Sequence, residues 1–259
     1  MKRKRLVVLT GAGISAESGL RTFRGNDGMW EHENIEDVCT PEALRRDPKR
    51  VKDFYNFLRK GLPEHEPNAA HIALAKLEER LGDEFLLVTQ NVDDLHERGG
   101  SKRVLHMHGD LMKLRCTKHE HEFEFTGEET MDTKCPICGS PVRPDIVFFG
   151  ETPLYMDEIQ NALMNCDEFV YIGTSSVVYP AAGFKSFAHS YGAKVTCLNL
   201  EAPYGDPYTD VVIQGKATEI VPKWCEEFKE RRCPFKSGMT NPKRARMTSQ
   251  KRGFIKARG

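Results

Sequence analysis

Four short stretches of this 259-residue chain carry residue types and spacings that do chemistry. Cys116-x-x-His119 is followed, after fifteen intervening residues, by Cys135-x-x-Cys138-Gly139. That is the spacing of a zinc ribbon, in which two short loops each offer two ligands to a tetrahedral metal. The second ligand of the first loop is His119, with His121 as the alternative. Four protein ligands leave no open position, so the site reads as structural. His106-Met107-His108-Gly109 places two imidazoles at i, i+2 on an extended segment, where they point to opposite faces. One can face a cleft while the other is structural, and the glycine permits close approach. Gln90-Asn91-Val92-Asp93 offers amides and a carboxylate that orient a ligand amide and ribose hydroxyls. Gly11-Ala12-Gly13-Ile14-Ser15-Ala16 is a Gly-x-Gly-x-x-Ala turn, a dinucleotide-binding fingerprint when it follows a strand.

Elements of an α/β protein must position these groups. Leu6–Leu9 and Phe85–Thr89 are short, mainly apolar runs of the kind that form buried parallel strands. The first feeds the glycine turn and the second delivers Gln90 to Asp93 at its carboxyl end, the edge where open α/β sheets bind ligands. Further strands are expected around Val104–His106, Glu168–Ile172 and Lys194–Leu200. The last two run into Gly173-Thr174-Ser175, a second nucleotide-type turn, and Asn199-Leu200-Glu201, whose polar groups suit ribose or adenine. Helices are expected after Thr40-Pro41, over about 48–60, after Asn68, and over about 221–231. The loop from Ser18 to Trp30 follows the glycine turn, so Phe23 can shield a reacting centre and Arg24 can meet phosphate. Val147-Phe148-Phe149-Gly150 can offer a strand edge to a peptide.

Charge divides the chain. From Lys229 to Gly259 eleven Lys or Arg face Glu230 alone, a charge of +10; the net charge is zero, so residues 1–228 carry −10. Such a tail, poor in apolar residues, is expected to be disordered. Its Lys243, Arg244, Arg246, Lys251 and Arg252 could contact nucleic acid, or the tail could solubilise the chain or dock on its own acidic body. No apolar run approaches the roughly 18 residues that span a bilayer, and the run after the basic start is too short for a signal peptide. A cytoplasmic protein is expected, with no membrane partner and its eight cysteines reduced.

Taken together, Gly11–Gly19, Thr22-Phe23-Arg24, Thr89–Asp93, His106–Gly109, Gly173–Ser175 and Asn199–Glu201 resemble the sirtuins, the NAD-dependent protein deacylases, and look most like their bacterial CobB-type members. The motifs stand in the family's order and cover about residues 5–228. The resemblance implies a Rossmann-like parallel-sheet domain over about 1–108 and 148–228. It adds a small zinc-ribbon insertion over about 109–147, a helical part over about 31–66, and a tail from 229. The cofactors it implies are NAD and zinc, and the partners are acyl-lysine proteins or peptides. It also implies that the acyl oxygen attacks C1′ of the nicotinamide ribose, that nicotinamide leaves, and that free lysine and O-acyl-ADP-ribose result.

By the same resemblance His108 is the general base, and Asn91 and Asp93 position the ribose and the nicotinamide amide. Phe23 covers the reacting carbon. Ala12, Ser15, Arg24, Thr174 and Ser175 cradle the phosphates. Asn199 and Glu201 meet the adenosine ribose and Ala217 the adenine. Gly11, Gly13, Trp30, Gln90, Val92, Gly173 and Leu200 complete the cofactor set, and Val147 to Gly150 pair with the substrate backbone.

Three departures matter. Members selective for acidic acyl groups carry Tyr-x-x-Arg on the pocket helix; here Leu58 stands at that spacing from Tyr55 and the arginine is Arg59, turned by about 100°. Tyr55 and Arg59 still share a face, which keeps desuccinylation open. Cys39 replaces a small alanine before Thr40-Pro41, and His119 replaces a cysteine of the metal set. Two other readings compete. A dehydrogenase needs an acidic residue after a second strand, and no strand pattern precedes Glu36 and Asp37. A zinc-ribbon nucleic-acid binder is opposed by the acidic body.

Overall fold

The computed structural model describes residues 3–21, 29–30, 33–175, 178–203 and 205–229. The chain opens with β1 (Leu6–Thr10), two single 3-10 turns (Ala12–Ile14, Ala16–Ser18), and a short hairpin of β2 (Met29–Trp30) and β3 (Glu33–Asn34). Four helices follow: α1 (Ile35–Val38), α2 (Pro41–Arg46), α3 (Pro48–Gly61) and α4 (Ala69–Leu81). Next come β4 (Phe85–Thr89), α5 (Leu95–Arg98) and β5 (Val104–His106), then β6 (Gly109–Cys116), β7 (Glu122–Glu124) and β8 (Val142–Ile146). The chain then forms α6 (Met156–Asn165), β9 (Glu168–Ile172), α7 (Phe184–Ser190), β10 (Lys194–Asn199), β11 (Val211–Gln214) and α8 (Ala217–Glu227).

Six strands form one sheet in the order β11-β10-β9-β1-β4-β5, every pairing parallel. The fold is Rossmann-like α/β. The apolar runs are continuous because both faces of each strand are covered. Leu6, Val8, Phe85 and Leu87 pack against α4 and α8, while Val7, Leu9, Leu86 and Val88 pack against α6 and α7. Strand order reverses at β1: the chain goes on to β4 and β5 on one side and returns to β9, β10 and β11 on the other. A crevice opens outside the carboxyl ends of the strands at such a point.

The second sheet is small and antiparallel, ordered β7-β6-β8. It leaves the main sheet just after His108, and Gly109 makes this possible: at φ +90° a Cβ there would lie 1.9 Å from the Asp145 carbonyl oxygen. Its core is only Leu114, Cys116, Cys135 and Val142, with Phe123 and Phe125 beside them. So small a core is supported by a metal or by neighbours.

Local signals explain the helix starts. The Thr40 hydroxyl accepts from Ala43 N–H at 3.0 Å, Asp47 caps α3, and Asn68 and His71 form a reciprocal capping box on α4. The last helix differs from expectation, running Ala217–Glu227 and not about 221–231. The Glu17 carboxylate accepts from Thr218 N–H at 3.0 Å and Oγ1 at 2.9 Å and fixes the earlier start, so that Pro222 lies inside the helix. No helix among the described residues is long and apolar enough to cross a membrane.

Candidate active site and metal centre

The glycine turns after β1 and β9 meet at the reversal point. Gly11 N–H donates to Ile172 O at 3.0 Å and Gly13 N–H to Gly173 O at 2.8 Å. A Cβ on Gly13 would lie 2.7 Å from Gly173 Cα, and one on Gly173 would lie 2.4 Å from Ile14 N. Only glycine at both positions lets the two turns touch. Gln90 Nε2 donates to Thr174 Oγ1 at 3.0 Å and Asn199 Nδ2 to Thr174 O at 3.0 Å, so the ends of β4, β9 and β10 are tied into one rim. Thr174, Ser175, Asn199 and Glu201 line a surface pocket there with Tyr171, Ala202 and Pro203. Leu200 is exposed beside it. Gly215 N–H bonds Asn199 O at 3.1 Å, which brings the start of α8, Ala217, to the same edge.

Beneath the rim lies a buried polar network. The Ser15 hydroxyl donates to Asp93 Oδ2 at 3.1 Å and accepts from Asn91 Nδ2 at 3.1 Å. Asp93 Oδ1 accepts from Leu95 N–H at 3.2 Å. Burial pushes the Asp93 carboxyl up to about 6, although the Leu95 N–H and the Ser15 hydroxyl hold it down in part. His71 Nε2 reaches Ser15 Oγ at 3.4 Å, and His96 Nε2 lies 2.9 Å from Thr10 Oγ1. Burial drives both imidazoles toward neutrality, His71 down to about 4 and His96 well below the usual histidine value.

The two histidines of the His106–His108 pair divide as their spacing predicts. His106 is buried and bonds the Asn91 carbonyl at 3.0 Å and the Glu97 carboxylate at 2.9 Å. Burial opposes its charge, but the Glu97 bond and charge outweigh it and its pKa is raised. His106 is therefore a structural residue whose two ring nitrogens both face acceptors, which favours its charged form. His108 is half-buried, and its Nδ1 lies 3.1 Å from the Gln90 carbonyl oxygen. A carbonyl can only accept, so Nδ1 carries the proton and the Nε2 lone pair is left to take another. Burial lowers the His108 pKa against the opposing carbonyl bond, which keeps the ring neutral at pH 7.

Across the small sheet, one ligand atom each from Cys116, His121, Cys135 and Cys138 lies within 4.8 Å of the others. The Cys116 and Cys138 sulfurs are 3.5 Å apart, and Cys135 Sγ is 3.4 Å from His121 Nδ1. A tetrahedron of about 2.3 Å Zn–S bonds has edges of about 3.7 Å, so this set fits zinc as a closed, structural site.

A Sir2 family profile matches residues 11–180 of the chain. The NAD-dependent protein deacylase of Yersinia pestis is 53% identical over 232 residues, covering 88% of this chain and 84% of that protein. The protein of the same name in Escherichia coli K12 is 52% identical over 233 residues, covering 88% and 83%. A solved Sir2 homolog–NAD complex superposes with TM-score 0.77 at 39% identity, covering 87% of this chain and 89% of that one. A Sir2–p53 peptide–NAD+ structure superposes with TM-score 0.69 at 29% identity, covering 87% and 94%.

The chain belongs to the Sir2 family. In this Sir2 member Gly11, Ala12, Gly13, Ser15, Gln90, Asn91, Val92, Asp93, His108, Gly173 and Thr174 all lie at or under one edge of the main sheet. Val92 also accepts from Leu111 N–H at 2.9 Å, joining that edge to the small sheet. Phe23, Arg24, the Trp30 side chain and the basic residues of the tail after Lys229 lie outside the described residues.

One expectation needs correction, and the surroundings of two further residues are specific. His121, not His119, joins the three cysteines. The turn after Cys116 returns the His121 carbonyl to Cys116 N–H at 2.9 Å, so the fifth residue on faces the sulfurs and His119 stacks on its ring at 5.1 Å. Arg59 is tied to its surroundings by two of its three nitrogens, and its Nη2 is buried without a partner among the described residues. It is buried, donates Nε to Leu111 O and Nη1 to Asn56 Oδ1, both at 2.9 Å, and lies 5.4 Å from the Phe125 ring centre. The Phe148 side chain is core: the residue is 1% exposed, its ring stacks on Tyr55 at 6.0 Å, and its N–H donates to Glu151 Oε2. Val147 and Phe149 N–H groups are bonded to the His108 and Cys39 carbonyls, while the Phe149 ring and Gly150 are exposed.

Sequence reasoning passed over Thr10, His71, His96 and Tyr171. The signal for His71 was the Asn68-x-x-His71 capping box. For Thr10 and Tyr171 there was none, because a threonine or tyrosine inside an apolar run reads as strand, and nothing in its local sequence marked His96.

Proposed function

We propose that this Sir2 member is an NAD-dependent protein-lysine deacylase acting on peptides and proteins that carry small neutral acyl groups. One observation carries the reading. The proton-accepting Nε2 of His108 stands at the sheet edge that also holds the Asn91–Ser15–Asp93 network, at the strand-order reversal. NAD, when bound, supplies the ribose carbon that takes the acyl oxygen as nicotinamide leaves; with water, the products are free lysine and O-acyl-ADP-ribose.

The chain's own groups have distinct tasks in this reading. His108 removes a ribose hydroxyl proton through Nε2, held in the right tautomer by the Gln90 carbonyl. Asn91 and Asp93 orient the nicotinamide ribose and amide, and Ser15 fixes both. Gly11, Ala12, Gly13, Gly173, Thr174 and Ser175 receive the phosphates, with Asn199, Leu200, Glu201 and Ala217 toward the adenosine. Zinc, on Cys116, His121, Cys135 and Cys138, would hold the small sheet together. The acyl group would lie near Tyr55, Cys39 and Leu58, which offer no free cation, so an acetyl group suits the pocket better than a succinyl group.

The test is nicotinamide release from NAD by the full chain with an acetyl-lysine peptide. Release that depends on the acyl group is expected. Reduction of NAD, or release indifferent to acyl-lysine, would overturn the reading.

A further inference from the structure

Lys52 has no part in the chemistry above, yet it is a charged residue only 6% exposed. It lies on α3, the helix that carries Tyr55. Its ammonium has three protons and meets three acceptors: the Glu129 carboxylate, Thr130 O at 3.2 Å and Val142 O at 3.2 Å. Glu129 is 2% exposed. One turn along, Asn56 exchanges two hydrogen bonds with the Glu129 backbone, at 2.8 and 2.9 Å. Lys52, Asn56 and Arg59 thus form a polar stripe that fastens α3 to the metal-bearing sheet.

Each end of this stripe leads to a site. On the small sheet, Val142 packs with Cys116 and Cys135, two of the metal ligands, and begins β8, which runs on to Val147, where the substrate backbone is expected. On the helix, Tyr55 is fully buried and stacks on Phe148 of that same segment. A buried ion pair is weak evidence for stability, since apolar residues of like volume often serve as well; in some proteins such a group instead fixes one arrangement against others.

We propose that Lys52 and Glu129 are positioning residues for acyl-lysine binding. Their buried pair locks the metal-bearing sheet to the helix carrying Tyr55, so that the state of the metal site sets the shape of the acyl-lysine site. The proposal rests on the deacylase reading.

The test uses the full chain and the double variant Lys52→Met/Glu129→Leu, because Lys52→Met alone strands a buried carboxylate. Zinc per chain, KM for an acetyl-lysine peptide, KM for NAD, kcat, and calorimetric peptide affinity are measured with and without a chelator. The variant should keep its zinc, its NAD KM and its kcat, while its peptide KM and Kd rise about fivefold or more. Chelation should weaken peptide binding by the wild-type chain and add little in the variant. Wild-type peptide affinity in the variant overturns the proposal, as does an equal further loss on chelation. Loss of zinc from the untreated variant also overturns it, since the pair would then support the sheet and not link it. A wild-type chain that releases no nicotinamide and binds no peptide overturns the deacylase reading and this proposal with it; wild-type turnover with unaltered peptide binding in the variant overturns this proposal alone.

Discussion

The Ser15 hydroxyl donates to Asp93 Oδ2 across 3.1 Å inside the protein. The same oxygen accepts from Asn91, so one hydroxyl sets the direction of two ligand-orienting side chains. Ser15→Ala removes a donor from a buried carboxylate and should lower kcat/KM for NAD by about 10²-fold, with a stability loss of about 1–3 kcal/mol. Steady-state kinetics with thermal melting checks this; an unchanged kcat/KM would refute the role given to Ser15.

Burial holds Asp93 at about 6, against an ordinary 3.8. The folded state therefore binds its proton more tightly than the unfolded state. The resulting stability, about 3 kcal/mol, is fully present below pH 3.8 and is lost as pH rises through about 6. Asp93→Asn carries no such loss. Its melting temperature relative to wild type should rise between pH 4.5 and pH 8, even as activity falls. A difference that stays flat over that window would count against the buried, ionising carboxylate.

The His108 pKa lies below 6.5, so the ring is neutral through the physiological range and activity should fall only on the acid side. His108→Ala should reduce kcat by about 10²–10⁴-fold and leave the melting temperature close to wild type, since the ring is half-buried and makes one carbonyl bond. Retained turnover in this variant would remove His108 as the base.

The metal set separates two neighbouring histidines. His121→Ala should lower zinc per chain and destabilise the small sheet, whereas His119→Ala should keep its zinc, because His119 only stacks on the ligand ring. His121→Cys should also hold the metal. Metal analysis of the three purified variants decides the matter; loss from His119→Ala alone would reverse the assignment.

Arg59 fastens α3 to Leu111 and Phe125; in the proposed reading it does not address an acyl carboxylate. Arg59→Met should lower stability by about 1–3 kcal/mol and should slow acetyl- and succinyl-lysine peptides by the same factor within about twofold. A selective loss on the succinyl peptide would restore the acidic-pocket reading.

The sheet was legible in the sequence because Leu6–Leu9 and Phe85–Val88 are buried on both faces and so stay apolar throughout. The turn residues were legible because glycine and small hydroxyl residues recur where backbones must approach. What escaped depends on contacts distant in sequence. The start of α8 is set by Glu17, some 200 residues earlier. The choice between His119 and His121 is set by how the chain returns to Cys116 N–H. The position of Arg59 is set by a carbonyl of β6, which no helical period reports.

Gly13 and Gly173 meet back to back although about 160 residues separate them, and a methyl group on either would displace the other. During synthesis the amino-terminal turn emerges long before its counterpart exists. The phosphate-facing rim therefore cannot be completed until β9 and the turn after it have left the ribosome, and a nascent chain cut short of residue 168 would have β1 with one flank bare.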